Sequence, residues 1–198
     1  MKNKIAKTKT RILDAAQDLM LKKGFVATSI DEICKKASTT KGSFFHYFKN
    51  KEELGIELVE QFAQMSIDLL KTACLESGND PLDRIYGLID SFIRFAETED
   101  FKGCLIGTFA QELSRTHPSI NSVCSSAIDL TTKLLKENLE NAKEKYVASS
   151  PLDVDGLANC LYSIIQGSII ITKAKNDSTV MRKNLSQYKQ YIGILFKK

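Results

Sequence analysis

Ile30, Ile33, Cys34 and Ala37 fall at i, i+3, i+4 and i+7, and Phe44 and Phe48 resume an i, i+4 spacing after three hydroxyl residues, Ser38, Thr39 and Thr40. That pattern confines the segment to two short helices, each with one apolar face, joined by a tight polar turn. Thr28 and Ser29 precede the first apolar run and Glu32 follows Ser29 by three, which suits an N-terminal capping box. Cys34 and Ser38 are small and four apart, where two steeply crossing helices must let their backbones approach. The expectation is a helix-turn-helix over residues 28–54.

Phe44 and Phe48 claim the inner stripe of the second helix, Lys41 to Phe48, so Thr40, Lys41, Ser43, His46 and Tyr47 point outward. These are hydroxyls and donors, and a DNA major groove offers such a face base-edge acceptors and phosphate oxygens. Thr40, Lys41 and Ser43 are expected in the groove, with Thr39 and His46 flanking them. Tyr47, Lys49 and Lys51 are expected on phosphate, as is Thr28, where the free N–H groups of a helix start favour an anion.

The run GFVATSIDEICKKA from Gly24 and the run KGSFFHYFKNKEEL from Lys41 resemble the N-terminal DNA-binding domain of the TetR/AcrR family of bacterial repressors. Ser38 and Thr39 stand where that family commonly has glycine and an aliphatic residue, and Phe45 stands where tyrosine is common. The resemblance implies a homodimer on a near-palindromic operator, with repression relieved by an effector.

Residues 1–51 hold 12 Lys and Arg against 4 Asp and Glu, whereas residues 52–198 hold 16 against 20. Such segregation suggests a nucleic-acid footprint on a first domain, 1–50, and a neutral-to-acidic effector-binding and dimerisation domain, 51–198. Residues 1–5 are expected as a solvated tail. With only 3 prolines and 10 glycines, the chain keeps a helical apolar period almost throughout and is expected to be all-α. Helices are expected over about 8–23, 51–75, 81–96, a short stretch after Gly103, a long one from Pro118, then about 153–175 and 178–197. Five cysteines without C-x-x-C spacing fit reduced thiols in a cytoplasm, and no uninterrupted apolar stretch calls for a membrane. No metal or cofactor is expected.

The helix from Asp153 carries two apolar stripes, Val154, Leu157, Ala158, Leu161, Ile165 and Ile169 on one side and Cys160, Ile164, Gly167 and Ile171 on the other. Two stripes need two partners, one within the chain and one in a second subunit, with Gly167 and Ser168 permitting close approach. The resemblance places both final helices in a four-helix dimer interface, and Leu161, Ile164, Gly167, Ser168, Ile171, Tyr188, Ile192 and Leu195 are expected there. Met65, Phe92, Phe95 and Phe109 are candidates to line an effector pocket.

Cys104 follows Lys102 and Gly103 at an expected helix start, and both a helix N-terminus and a nearby cation favour the nucleophilic thiolate. The commoner fate of such a residue is that of a small core hydrophobe. The segments GCLIGTFAQEL from Gly103 and GSIIITKAK from Gly167 are similar to those of the electrophile-responsive repressor of N-ethylmaleimide reductase within the same family. That likeness implies a cysteine and lysine switch at Cys104 and Lys173. The rival from another class, a thiol enzyme using Cys104 and His117, lacks an orienting third group, and no phosphate loop or nucleophile elbow is present.

Overall fold

The computed structural model describes residues 2–98 and 101–197, with side chains from Lys7 onward. Among them are nine α-helices: α1 Lys2–Lys23, α2 Ile30–Lys36, α3 Lys41–Tyr47, α4 Lys51–Glu76, α5 Pro81–Ala96, α6 Leu105–Leu113, α7 Pro118–Val147, α8 Val154–Lys175 and α9 Thr179–Phe196. The expected boundaries hold to within about two residues, with one exception. α1 starts at Lys2, so residues 2–5 are helical where a tail was expected; Met1 and the side chains of Lys2 and Lys4 lie outside the described residues.

The chain divides into two compact units, and the divisions fall inside α4, just before α6 and inside α7. One unit spans Met1–Gln64 and Cys104–Ala127, the other Met65–Gly103 and Ile128–Lys198. The unit around the helix-turn-helix therefore extends well past residue 50, because α6 and the start of α7 pack into it. Its core holds Ile12, Met20, Phe25, Ile33, Phe44, Phe48, Phe109 and Leu113, all buried. Phe25 and Phe109 meet edge to face with centroids 5.5 Å apart. Phe109, expected at an effector pocket, is a fully buried core residue of this unit on the apolar face of the nine-residue α6.

The second unit packs α8 on α9 and α9 on α5. Arg182 on α9 grips Glu97, the C-cap of α5, through two nitrogens at 2.7 and 2.6 Å, and Lys189 reaches Asp90 at 2.8 Å. Asp80 caps α5 by accepting from the Leu82 and Asp83 N–H groups, and also accepts from Lys145 and Tyr146 of α7. Those two donors hold its carboxyl well below the usual carboxylate range.

The two stripes of α8 separate as their spacing requires. Val154, Leu157, Ala158, Leu161, Ile165 and Ile169 are buried, whereas Cys160 and Ile171 are exposed and Ile164 and Gly167 half-buried. Four residues expected at a dimer interface consequently turn inward within the unit. Leu161 lies on the buried stripe, Ser168 accepts from Asn184 Nδ2 at 3.0 Å, the buried Tyr188 hydroxyl donates to the Leu157 carbonyl at 2.8 Å, and Ile192 is buried on α9. The outward apolar surface of α9 is instead Ile194, 76% exposed, and Tyr191, 46% exposed, beside the half-buried Leu195. α8 is the one helix among the described residues long and apolar enough to cross a membrane; one of its apolar stripes is buried inside this unit.

Candidate nucleic-acid interface

Local chemistry fixes both ends of α2. The Ser29 hydroxyl accepts from the Glu32 N–H while the Glu32 carboxylate accepts from the Ser29 N–H at 3.0 Å, completing a capping box. Lys23 adds an ion pair to Glu32 at 2.6 Å, and this bond, followed by those from Ser29, lowers the Glu32 carboxyl pKa to about 2. At the other end the Ser38 N–H donates to the Lys35 carbonyl and the Thr39 N–H to the Cys34 carbonyl, a Schellman motif. Its closing residue must be left-handed, and Ser38 holds φ at +49°. This geometry explains why glycine is common there in the family, and serine keeps the turn while adopting a conformation glycine takes without strain.

Thr40 caps α3 by accepting from the Ser43 N–H at 3.1 Å. Phe44 and Phe48 are buried beneath the helix, so Thr40, Lys41 and His46 are exposed and Thr39, Ser43 and Tyr47 half-buried on the outer side. Lys41 lies 2.7 Å from Asp31 of α2, an exposed pair that links the two helices across their outer face. His46 and Tyr47 rings meet edge to face at 5.0 Å, and Lys49 is exposed just beyond the helix.

Two expected phosphate contacts are turned to other work. Thr28 is fully buried and its hydroxyl donates to the Gly24 carbonyl at 2.7 Å, because the residue sits inside the loop and leaves the outer helix-capping position to Ser29. The Lys51 ammonium donates to the carbonyls of Phe25, Thr28 and Val26 at 2.9, 2.8 and 3.4 Å, and stands 4.4 Å from the Phe25 ring centre. Burial pulls its pKa below the ordinary lysine value, with the Glu112 carboxylate opposing that shift. The loop also leaves N–H groups at Phe25 and Val26, and Glu112 of α6 accepts from both, each at 2.8 Å.

Phe45, noted in the sequence as a departure from tyrosine but assigned no contact, is 51% exposed on α3, an apolar surface among donors. A thymine methyl is the groove group such a ring meets.

The effector candidates fall in different units. Cys104, half-buried, is the N-cap of α6, and its sulfur accepts from the Gly107 N–H at 3.4 Å. Gly103, the preceding residue, holds φ at +105° in the second unit, and a Cβ there would stand 3.3 Å from Lys173 Cδ and 3.5 Å from Lys173 Nζ. Burial, followed by the nearby Cys104, pushes the Cys124 thiol up to about 11, and burial also raises Cys34 and Cys74. Cys160 is exposed. In the second unit Phe92 is half-buried, Met65 and Phe95 are exposed, and Phe95 meets Phe101 edge to face at 5.6 Å.

Comparison with known proteins agrees with this architecture at both ends of the chain. The family profile described as bacterial regulatory proteins, tetR family, matches residues 12–58, and the tetracyclin repressor-like C-terminal domain matches residues 81–188. An uncharacterized HTH-type transcriptional regulator in the lacX 3' region of Lactococcus lactis is 27% identical over 183 residues, covering 92% of this chain and 91% of that protein. The HTH-type transcriptional repressor NemR of Escherichia coli K12 is 26% identical over 188 residues, covering 94% of each chain. The crystal structure of the reduced form of E. coli NemR superposes with a TM-score of 0.79, covering 92% of this chain and 95% of its own. With its C-terminal match spanning more than half of its length, the chain belongs to the TetR family and is a DNA-binding transcriptional regulator.

Proposed function

We propose that the protein is a homodimeric, cytoplasmic repressor that reads a near-palindromic operator with α3 and leaves it when an electrophile or small molecule acts on the larger helical domain. The observation that carries the DNA part is the outer face of α3, where Thr40, Lys41, Ser43 and His46 present donors above a helix anchored by buried Phe44 and Phe48. Thr39 and Phe45 extend this face toward the bases, and Tyr47 and Lys49 are assigned to phosphate. Ile164, Gly167 and Ile171 of α8 with Tyr191, Ile194 and Leu195 of α9 supply the apolar surface for the second subunit. A two-fold dimer matches a palindrome with its half-sites about 34–36 Å apart or somewhat more.

For the signal, Cys104 is assigned as the reacting thiol and Lys173 as its partner. The Gly107 N–H directed at the sulfur, at the N-cap of α6, supports the cysteine part of this reading, and the lysine rests on the family resemblance. The second reading is a non-covalent apolar ligand at Met65, Phe92 and Phe95, favoured by the exposure of Met65 and Phe95 in the second unit.

A gel shift with the DNA flanking the protein's own gene, run with reduced and with maleimide-treated protein, tests the reading. Wild type and Cys160→Ser lose binding on treatment and Cys104→Ser keeps it. Release retained by Cys104→Ser removes the cysteine switch, and binding unchanged by treatment in all three points to the non-covalent ligand.

A further inference from the structure

The loop from Gly24 to Ser29 sets where α2, and through it α3, begins, and it is gripped from two sides by side chains distant in sequence. Lys51 takes its carbonyls at Phe25, Val26 and Thr28, and Glu112 takes its N–H groups at Phe25 and Val26. Gly24 makes room for the carboxylate, since a Cβ there would stand 2.8 Å and 2.9 Å from its oxygens. Every group involved belongs to one compact unit. Glu112 lies on neither α2 nor α3, and α6 has Cys104 as its N-cap.

We propose that Glu112 is a positioning residue for operator recognition: its carboxylate holds the Gly24–Ser29 loop so that α2 and α3 stand in the reading pose. Two backbone N–H groups 2.8 Å from one carboxylate form charge-assisted bonds that no other side chain of this unit makes to them among the described residues. Lys51 alone leaves those N–H groups without an acceptor, so loss of Glu112 populates loop conformers in which α3 is misplaced. Operator affinity then falls by the fraction of molecules holding the competent loop. The inference rests on the DNA-binding reading but not on the electrophile.

The sign of the effect separates this role from plain charge. Removing a carboxylate from a DNA-binding unit strengthens or leaves unchanged its attraction to phosphate, whereas loss of positioning weakens binding to the operator. Three full-length proteins, wild type, Glu112→Gln and Glu112→Asp, are compared. Amide hydrogen exchange without DNA comes first, and the Phe25 and Val26 amides exchange at least tenfold faster in both variants while Ile33 and Phe44 keep their protection. Binding is then measured to a duplex that the wild type selects from a randomised pool and to an unselected duplex of equal length. For both variants the Kd for the selected duplex rises about tenfold, that for the unselected duplex changes less than twofold, and the salt dependence keeps its slope. Glu112→Asp retains the charge at a shorter reach, so loss in both variants assigns the effect to geometry. Unchanged Phe25 and Val26 exchange in Glu112→Gln, or selected-duplex binding within twofold of wild type in either variant, overturns the proposal. A parallel loss on both duplexes overturns it also, since it marks general destabilisation. Failure of wild type to select any duplex counts against the DNA-binding reading, and the exchange experiment still decides whether Glu112 holds the loop.

Discussion

Gly24→Ala probes the same loop from its backbone, and its cost can be worked from two separate contacts. Gly24 holds φ at +89°, and an L-residue forced into the left-handed region loses about 1–2 kcal/mol. The added methyl also drives the Glu112 carboxylate away from the Phe25 and Val26 N–H groups, since the overlap is with its oxygens at 2.8 and 2.9 Å. Charge-assisted hydrogen bonds contribute about 1.5–3 kcal/mol each, but Glu112 is half-exposed and recovers water, so about 2 kcal/mol for the pair is the appropriate figure. The expected loss is about 3–4 kcal/mol. In a Glu112→Ala background the methyl meets no carboxylate, and the same substitution costs only the backbone part. A double-mutant cycle therefore returns a coupling of about 2 kcal/mol. Native-state amide exchange at Ile12, Met20 and Ile33, all buried in the same unit, reads this unit's stability separately from the other. Additivity of the two substitutions to within about 0.5 kcal/mol would refute the argument, because the steric and hydrogen-bond parts would then be independent.

Ser38→Gly relieves a left-handed serine and is expected to stabilise the protein by about 1 kcal/mol with DNA binding retained; a destabilised variant would contradict the assigned turn. Glu32 has its carboxyl pKa lowered from 4.5 to about 2, so its contribution is present above the unfolded value and is lost as pH falls through the folded one. A carbon-13 titration of its side chain checks this, and a midpoint at the ordinary 4.5 refutes the capping box with its Lys23 pair. Ile194→Asp places a charge on the exposed apolar face of α9 and is expected to yield monomers in sedimentation, whereas a variant that stays dimeric moves the interface elsewhere. Lys49→Gln is expected to reduce the salt slope of DNA binding by about 0.9 per contact, about 2 for a dimer, while Lys51→Gln leaves that slope unchanged. Equal slopes for the two variants would return Lys51 to the phosphate.

The helices of this chain were legible because their ends are written in short-range chemistry. Ser29 with Glu32, Asp80 with Pro81 and Asp153 mark starts that the structure places within a residue of expectation. The two stripes on α8 were equally legible, since burial follows spacing along one helix. Which residues of α8 and α9 turn inward within the chain was not: Leu161, Ser168, Tyr188 and Ile192 have apolar or small character, but a hydrogen bond from Tyr188 to Leu157 or from Asn184 to Ser168 depends on how α8 meets α9. The packing of Phe109 was hidden for a similar reason, because an aromatic on a short helix gives no hint of Phe25, 84 positions earlier, as its partner. The Glu112 contacts with Phe25 and Val26 leave no local trace in the sequence at all. They join groups 87 and 86 residues apart, and only the fold of the unit brings them together.

The basic N-terminus shows what a linear count of charge measures. Cut at residue 51, the chain separates into a strongly positive part and a negative remainder, but the compact unit also contains Glu52, Glu53, Glu57 and Glu60 of α4. Counted over that unit the balance is +4, the same as the whole chain, and the second unit is neutral. Several of the lysines are also engaged inside the unit: Lys9 with Glu57, Lys23 with Glu32, Lys36 with Asp18, Lys41 with Asp31, and Lys51 with the loop carbonyls. The segment's positive excess is therefore partly a device for folding. Exposed pairs such as Lys41 with Asp31 contribute little stability and exchange readily for phosphate, whereas Lys51 is held by three carbonyls and a ring and does not. A linear count of charge therefore overstates the cations available to a phosphate backbone, and Lys51 is the clearest case of a lysine in the basic segment that the fold has already engaged.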